Sequence, residues 1–212
     1  MYFLFLLGAF CAMGSSIGTL HNTGTTGSGT VDPYWTVNGQ SAYVTDTGGF
    51  PFPIWEVDSP TVGWISTMPN YFADHHTNAL GSYIYATTFD LTGFNPATAS
   101  IVFSYAVDNL VDDVLLNGVS IAYPFPTNDH FFGVEAPVNL INRGFLQGVN
   151  RLEFQTRNTT GDPLLNPNGL RVAFVSSADT TVSNPEPASL ILMGAGLLGL
   201  IAGARRRGLL SR

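Results

Sequence analysis

The densest set of oxygen ligands in the chain lies in AVDNLVDDVLLNG, where Asp108, Asn109, Asp112, Asp113 and Asn117 fall close together. Carboxylates and side-chain amides at that density suit Ca²⁺, a hard cation that collects oxygen ligands. Their spacing is not that of an EF-hand, and the same residue types close turns on solvated loops. The expectation is therefore a structural loop and no cofactor, with a Ca²⁺ site on Asp108, Asp112 and Asp113 as the alternative. A second cluster, Asp74, His75 and His76, does not complete a metal centre. Neighbouring side chains on an extended segment point apart, and neither an HExxH nor a paired-cysteine motif accompanies them.

No G-x-S-x-G or other nucleophile motif occurs, and the body glutamates Glu56, Glu135 and Glu153 are isolated from one another in sequence. A catalytic role is not expected; a carboxylate pair for glycoside hydrolysis is a matter of geometry that spacing alone does not test. The remaining chemistry is aromatic. Trp35 and Trp55 either turn a flat ring face to a sugar, with Asp108 and Asn109 as further ligand-binding candidates, or pack in the core as an aromatic-rich sandwich needs. Trp64, Tyr83 and Tyr85 read as core.

These residues must be held by strands. Gly, Pro, Asn, Asp, Ser and Thr punctuate the body roughly every 8 to 12 residues, and no window sustains a helical period. In SYIYATTFDL, Tyr83, Tyr85, Thr87 and Phe89 share one face; in ASIVFSYAVD, Ile101, Phe103, Tyr105 and Val107 do. GVNRLEFQTRN places Leu152, Phe154 and Thr156 inward and Glu153 outward, and GLRVAFVSS alternates Leu170, Val172 and Phe174. Asn117-Gly118 breaks two short apolar runs at a hairpin, because both turn positions need φ > 0. Eight to ten antiparallel strands are expected, an all-β sandwich over residues 15–180 with a single core.

Charge narrows the partners. Residues 15–184 carry fourteen Asp and Glu against Arg143, Arg151, Arg157 and Arg171, and the whole chain has no lysine. With no basic stripe to neutralise phosphates, nucleic acid is excluded as a partner. Cys11 is the sole cysteine, so residues 15–212 hold neither a disulfide nor a thiolate nucleophile.

Both ends read as addresses. MYFLFLLGAFCAMGSS is an apolar run closed by small residues, with Ala12 and Gly14 at signal-peptidase spacing, so residues 1–14 are expected to be a signal peptide cut after Gly14. The basic n-region of such a leader is missing here, which would place the natural start upstream of Met1. At the other end Pro185, Glu186 and Pro187 precede the uncharged segment 188–204, which is just long enough to span a bilayer as a helix and is stopped by Arg205, Arg206 and Arg207. Arginines stay on the cytoplasmic side, so the body is expected outside, as the leader also requires.

The ordered series of Pro-Glu-Pro, apolar helix and arginine cluster over 184–207 resembles the PEP-CTERM sorting signal of bacterial exported proteins. The resemblance implies an exosortase as partner, transient residence in the membrane through 188–204, and delivery to the cell surface or extracellular matrix. A strand ending in AVDN, the DVLLNG hairpin, FLQGVNRLEFQTRN and NGLRVAF are similar to the second half of galactose-binding-like jelly rolls. That resemblance implies a jelly-roll body that contacts carbohydrate, such as exopolysaccharide, or serves as a structural spacer, with Asp108-Asn109 and Asn117-Gly118 closing turns. The rival readings are a secreted carbohydrate-active hydrolase and an ice-binding protein; TGTTGSGT supplies threonines without the repeat that a flat ice-binding face needs.

Overall fold

The computed structural model describes residues 14–46, 55–69, 77–127, 133, 135–159 and 166–180. Residues 1–13 of the expected leader, the Asp74-His75-His76 cluster, and the expected sorting signal with its expected spanning segment 188–204 lie outside these residues. Among the described residues no helix is long and apolar enough to cross a membrane.

Ten antiparallel strands follow in order: β1 Val31–Val37, β2 Gln40–Val44, β3 Ile65–Ser66, β4 Gly81–Asp90, β5 Ser100–Asp108, β6 Leu110–Leu116, β7 Val119–Ser120, β8 Asn139–Ile141, β9 Val149–Asn158 and β10 Gly169–Ser177. They hydrogen-bond in the order β7-β6-β9-β4-β1-β2-β3-β10-β5-β8. From β4 onward the chain alternates between the two arms of this sheet, β4 to β5, β6 to β8, β9 to β10, which is the wrapped course of a jelly roll. The arms pack face to face: Phe103 on β5 meets Phe154 on β9 edge-on, with ring centroids 5.3 Å apart. The fold is an all-β antiparallel sandwich.

The period-two pattern explains the core. Tyr85, Ile101, Phe103, Tyr105, Val107, Leu152, Phe154, Leu170 and Val172 are all buried, as their alternation requires. Glu153 faces outward between Leu152 and Phe154 and pairs with Arg151 at 2.5 Å. The β6–β7 hairpin turns at Asn117 (φ 53°) and Gly118 (φ 78°), the left-handed conformation that Asn-Gly tolerates. Register shifts between Val111 and Asp113, so Asp112 is the extra residue of a bulge, and its carboxylate meets the Arg157 guanidinium through two hydrogen bonds.

The two ends of the sandwich meet. Ser15 and Ala178 exchange both backbone hydrogen bonds, each 2.9 Å long. The chain therefore enters and leaves the sandwich at one bridge.

Candidate functional site

Of the residues that suggested a site from sequence, Trp55, Asp108 and Asn109 come together at the end of β5, and the structure uses them to close the fold. Trp55 and Trp64 stack with ring centroids 4.1 Å apart, both buried. The Trp55 indole donates to Asp108 Oδ2 at 3.0 Å, and the Trp64 indole donates to the Glu56 carbonyl at 2.8 Å. Asn168 links the same corner: its amide donates to the Asp108 carbonyl at 2.7 Å, and its Oδ1 accepts from the Tyr85 hydroxyl at 2.6 Å. Asn78 Oδ1 accepts from the Asn168 backbone, while Asn109 Oδ1 accepts from the Thr159 backbone. Gly169 is required because a Cβ there would sit 2.6 Å from Trp55 Cη2. We call this the β5–β6 knot.

Two readings that the sequence leaves open are decided here. Trp35 and Trp55 do not offer ring faces to solvent, being only 1% and 3% exposed. Trp35 lies parallel to Phe174 inside the sandwich, and its indole donates to the His21 carbonyl at 3.2 Å. A buried tryptophan needs an acceptor for its N–H, and His21 and Asp108 supply one each. Nor do Asp108, Asp112 and Asp113 gather round a cation. Asp108 is buried against Trp55; Asp112 pairs with Arg157; Asp113 Oδ1 accepts from the Val114 backbone and the Ser120 hydroxyl. Among the described residues no group of three His, Cys, Asp or Glu side chains is placed to hold a metal. Asp108 and Asn109 remain polar and central, but as turn-closing groups buried at 4% and 7% exposure.

A second convergence surrounds Arg171 on β10, which sequence spacing did not mark. Its guanidinium is buried and ion-paired with Glu135, whose other oxygen accepts from the Ser104 hydroxyl at 2.9 Å. Glu56 and Asp58 also act on this charge. Burial pushes the Asp58 carboxyl above its usual range, against the pull of the Trp64 backbone N–H and Arg171. Glu153, on the opposite arm, takes no part. These carboxylates are engaged in holding an arginine against the sheet.

Open concavity appears elsewhere, along the outer end of β10. There a groove of about 520 Å³ is lined by the half-buried Phe174 with Leu20, Pro60 and Val175, and by the polar side chains of His21, Asn22, Thr25, Thr61 and Ser176. Asn22 fixes the groove by accepting from the Phe174 backbone at 2.8 Å and donating to the Thr61 carbonyl at 3.1 Å. His21 stacks on Tyr34 with centroids 3.5 Å apart, and Tyr34 is 42% exposed. No carboxylate or guanidinium lines this groove. Hydroxyls, an amide and apolar side chains that include Phe174 suit a neutral, hydroxylated ligand with one apolar face. The sequence signal for it was weak, since Phe174 reads simply as an inward strand residue.

Comparison with known proteins bears on the end of the chain. Residues 185–207 match the PEP-CTERM protein-sorting motif. No curated protein matches the chain. Among solved structures it is similar to a CBM35 from Paenibacillus barcinonensis, at 18% identity and a TM-score of 0.35, over 68% of this chain and 94% of that one. The C-terminal motif marks the chain as exported across a membrane and processed there by an exosortase.

Proposed function

We propose that the sandwich is a non-catalytic module delivered to the cell surface or extracellular matrix, where it contacts carbohydrate through the Phe174 groove. The observation that carries the delivery is the order of parts. The sandwich closes on itself at the Ser15–Ala178 bridge, and the sorting motif begins at residue 185, a few residues beyond it. Cutting the chain near Pro185 to Pro187, or after Gly14, leaves every strand and the bridge itself intact.

The groove supports the second half of the reading. An aromatic side chain such as Phe174 can stack on the C–H face of a sugar ring, and the surrounding hydroxyls and amide meet its hydroxyls. An exopolysaccharide built of neutral sugars is the ligand class that this lining fits.

Two experiments test the parts separately. Deletion of Pro185–Pro187 is expected to leave the protein in the membrane fraction of its native host; unchanged release would remove the exosortase step. Full-length protein in neutral detergent, probed against a panel of neutral and acidic polysaccharides, is expected to bind a neutral one at sub-millimolar affinity. Replacing Tyr34, which is exposed and stacks on the groove's His21, by Ala should weaken that binding without lowering the melting temperature. Binding to none of the panel would leave the module a spacer.

A further inference from the structure

The two terminal strands of the sheet order, β7 and β8, line one cleft of about 240 Å³. Its walls are apolar: Leu116 and Ile121 on the β6–β7 side face Leu140 and Ile141 of β8. Val119 and Leu140 are 68% and 59% exposed, more apolar surface than two short edge strands need. The polar groups at its rim are Arg143 and Asn142, since the Ser120 hydroxyl is committed to Asp113.

Arg143 stands apart from the other arginines of the body. Arg151 holds Glu153, Arg157 holds Asp112 and Arg171 holds Glu135. Arg143 is exposed and has no ion-pair or hydrogen-bond partner among the described residues. In a body with fourteen acidic side chains and four arginines, an unclaimed guanidinium beside apolar walls is the part left for a ligand.

The segment that carries it is held rigidly. Asn150 Oδ1 accepts from the Leu146 backbone, and its amide donates to the Leu146 and Gly148 carbonyls, each at 2.8 Å. Asn117, at the hairpin turn, donates to the Gly144 carbonyl at 3.0 Å and to Asn150 Oδ1 at 2.9 Å. One pair of asparagines thus ties the hairpin bearing Val119 to the loop bearing Arg143. A pre-arranged cleft loses less ordering entropy on binding.

We propose that this cleft binds a small amphiphilic carboxylate, its aliphatic part between β7 and β8 and its carboxylate on the Arg143 guanidinium. The guanidinium fork matches a carboxylate through two parallel hydrogen bonds. The cleft lies below the range of about 300–1,000 Å³ that suits drug-sized ligands, so the ligand is a short one. The site is independent of the Phe174 groove, which is lined by no carboxylate or guanidinium.

Pentanoate is the probe, titrated into full-length protein in neutral detergent against a protein-free detergent blank, with pentan-1-ol and acetate as controls. Pentanoate is expected to bind with a dissociation constant on the order of millimolar. Pentan-1-ol, lacking the charge, and acetate, lacking the chain, are each expected to bind at least about tenfold more weakly, an anionic contact and an apolar contact both being lost separately. Arg143→Gln should weaken pentanoate by at least about tenfold and Arg143→Lys by less, since a point charge keeps attraction but not the fork. Equal binding of pentanoate and pentan-1-ol, an unaltered titration in Arg143→Gln, or no binding of pentanoate to the wild-type protein would each overturn the proposal. The ligand controls need no variant, so a folding defect cannot decide the result.

Discussion

The β5–β6 knot and the Arg143 cleft are built from the same materials and end in opposite conditions. Each has large apolar side chains, a turn fixed by asparagine, and charged residues close by. In the knot the groups of Trp55, Asp108, Tyr85 and Asn168 are spent on one another. In the cleft, Asn117 and Asn150 satisfy the backbone and leave the guanidinium over. A dense cluster of functional-looking residues is thus no guide to a binding site; what matters is which groups are left after the fold has taken its share. Substitutions in the two regions should therefore separate stability from binding.

The largest effect is expected at Trp64, fully buried and stacked on Trp55. Trp64→Ala should destabilise by about 3–5 kcal/mol, combining the lost burial with the cavity left behind. Asn168→Ala should follow at about 1–3 kcal/mol, because the Tyr85 hydroxyl loses its Asn168 acceptor and the Asp108 carbonyl loses its Asn168 donor in a buried place. Chemical denaturation with full-length protein measures both. Pentanoate affinity, read on the fraction that remains folded, should not change with either, and a parallel loss would mean that knot and cleft are one cooperative site.

Most of the core half of this picture is legible in the sequence. Strict alternation in β4, β5, β9 and β10 gives strand type, register face and buried set together, and Asn117-Gly118 gives the hairpin. The front of the sandwich is less legible: β2 and β3 are short, and the register of β1 against β2 shifts between Val31 and Thr36, which breaks its period. The fates of Trp35 and Trp55 depend on carbonyl and carboxylate acceptors supplied by His21 and Asp108, distant in sequence by 14 and 53 residues. The cleft is harder still, since it exists only because β7 and β8, at opposite ends of the hydrogen-bonding order, line the same space. No local pattern encodes that meeting. Arg143 is visible in sequence, but its lack of a partner is a property of the fold.

A smaller effect concerns pH. Asp58 in the wall of the knot has a carboxyl raised above the ordinary 3.8 by burial. For such a group the folded state favours the neutral form. Its contribution is fully present below the unfolded value and is lost as pH rises through the folded one. Asp58→Asn keeps an acceptor for the Trp64 backbone N–H but carries no charge. The difference in melting temperature between pH 4 and pH 7 should accordingly change in the variant, with the wild type losing more on the way up. Arg143→Gln, whose side chain lies in solvent, should reproduce the wild-type pH profile, which keeps the comparison between the two regions clean.

The smallest effect on stability, and the sharpest separation, belongs to Val119. Its side chain is largely exposed on a two-residue edge strand, so Val119→Ser removes little buried area and should change stability by no more than about 0.5 kcal/mol, as surface substitutions do. The same change replaces an apolar wall of the cleft with a hydroxyl. Pentanoate affinity should therefore fall severalfold while the melting curve stays in place, the reverse of what Trp64→Ala does. If Val119→Ser left affinity unchanged, the exposed apolar surface of β7 would be only an uncovered sheet edge, and Arg143 would bind small carboxylates without regard to their chains.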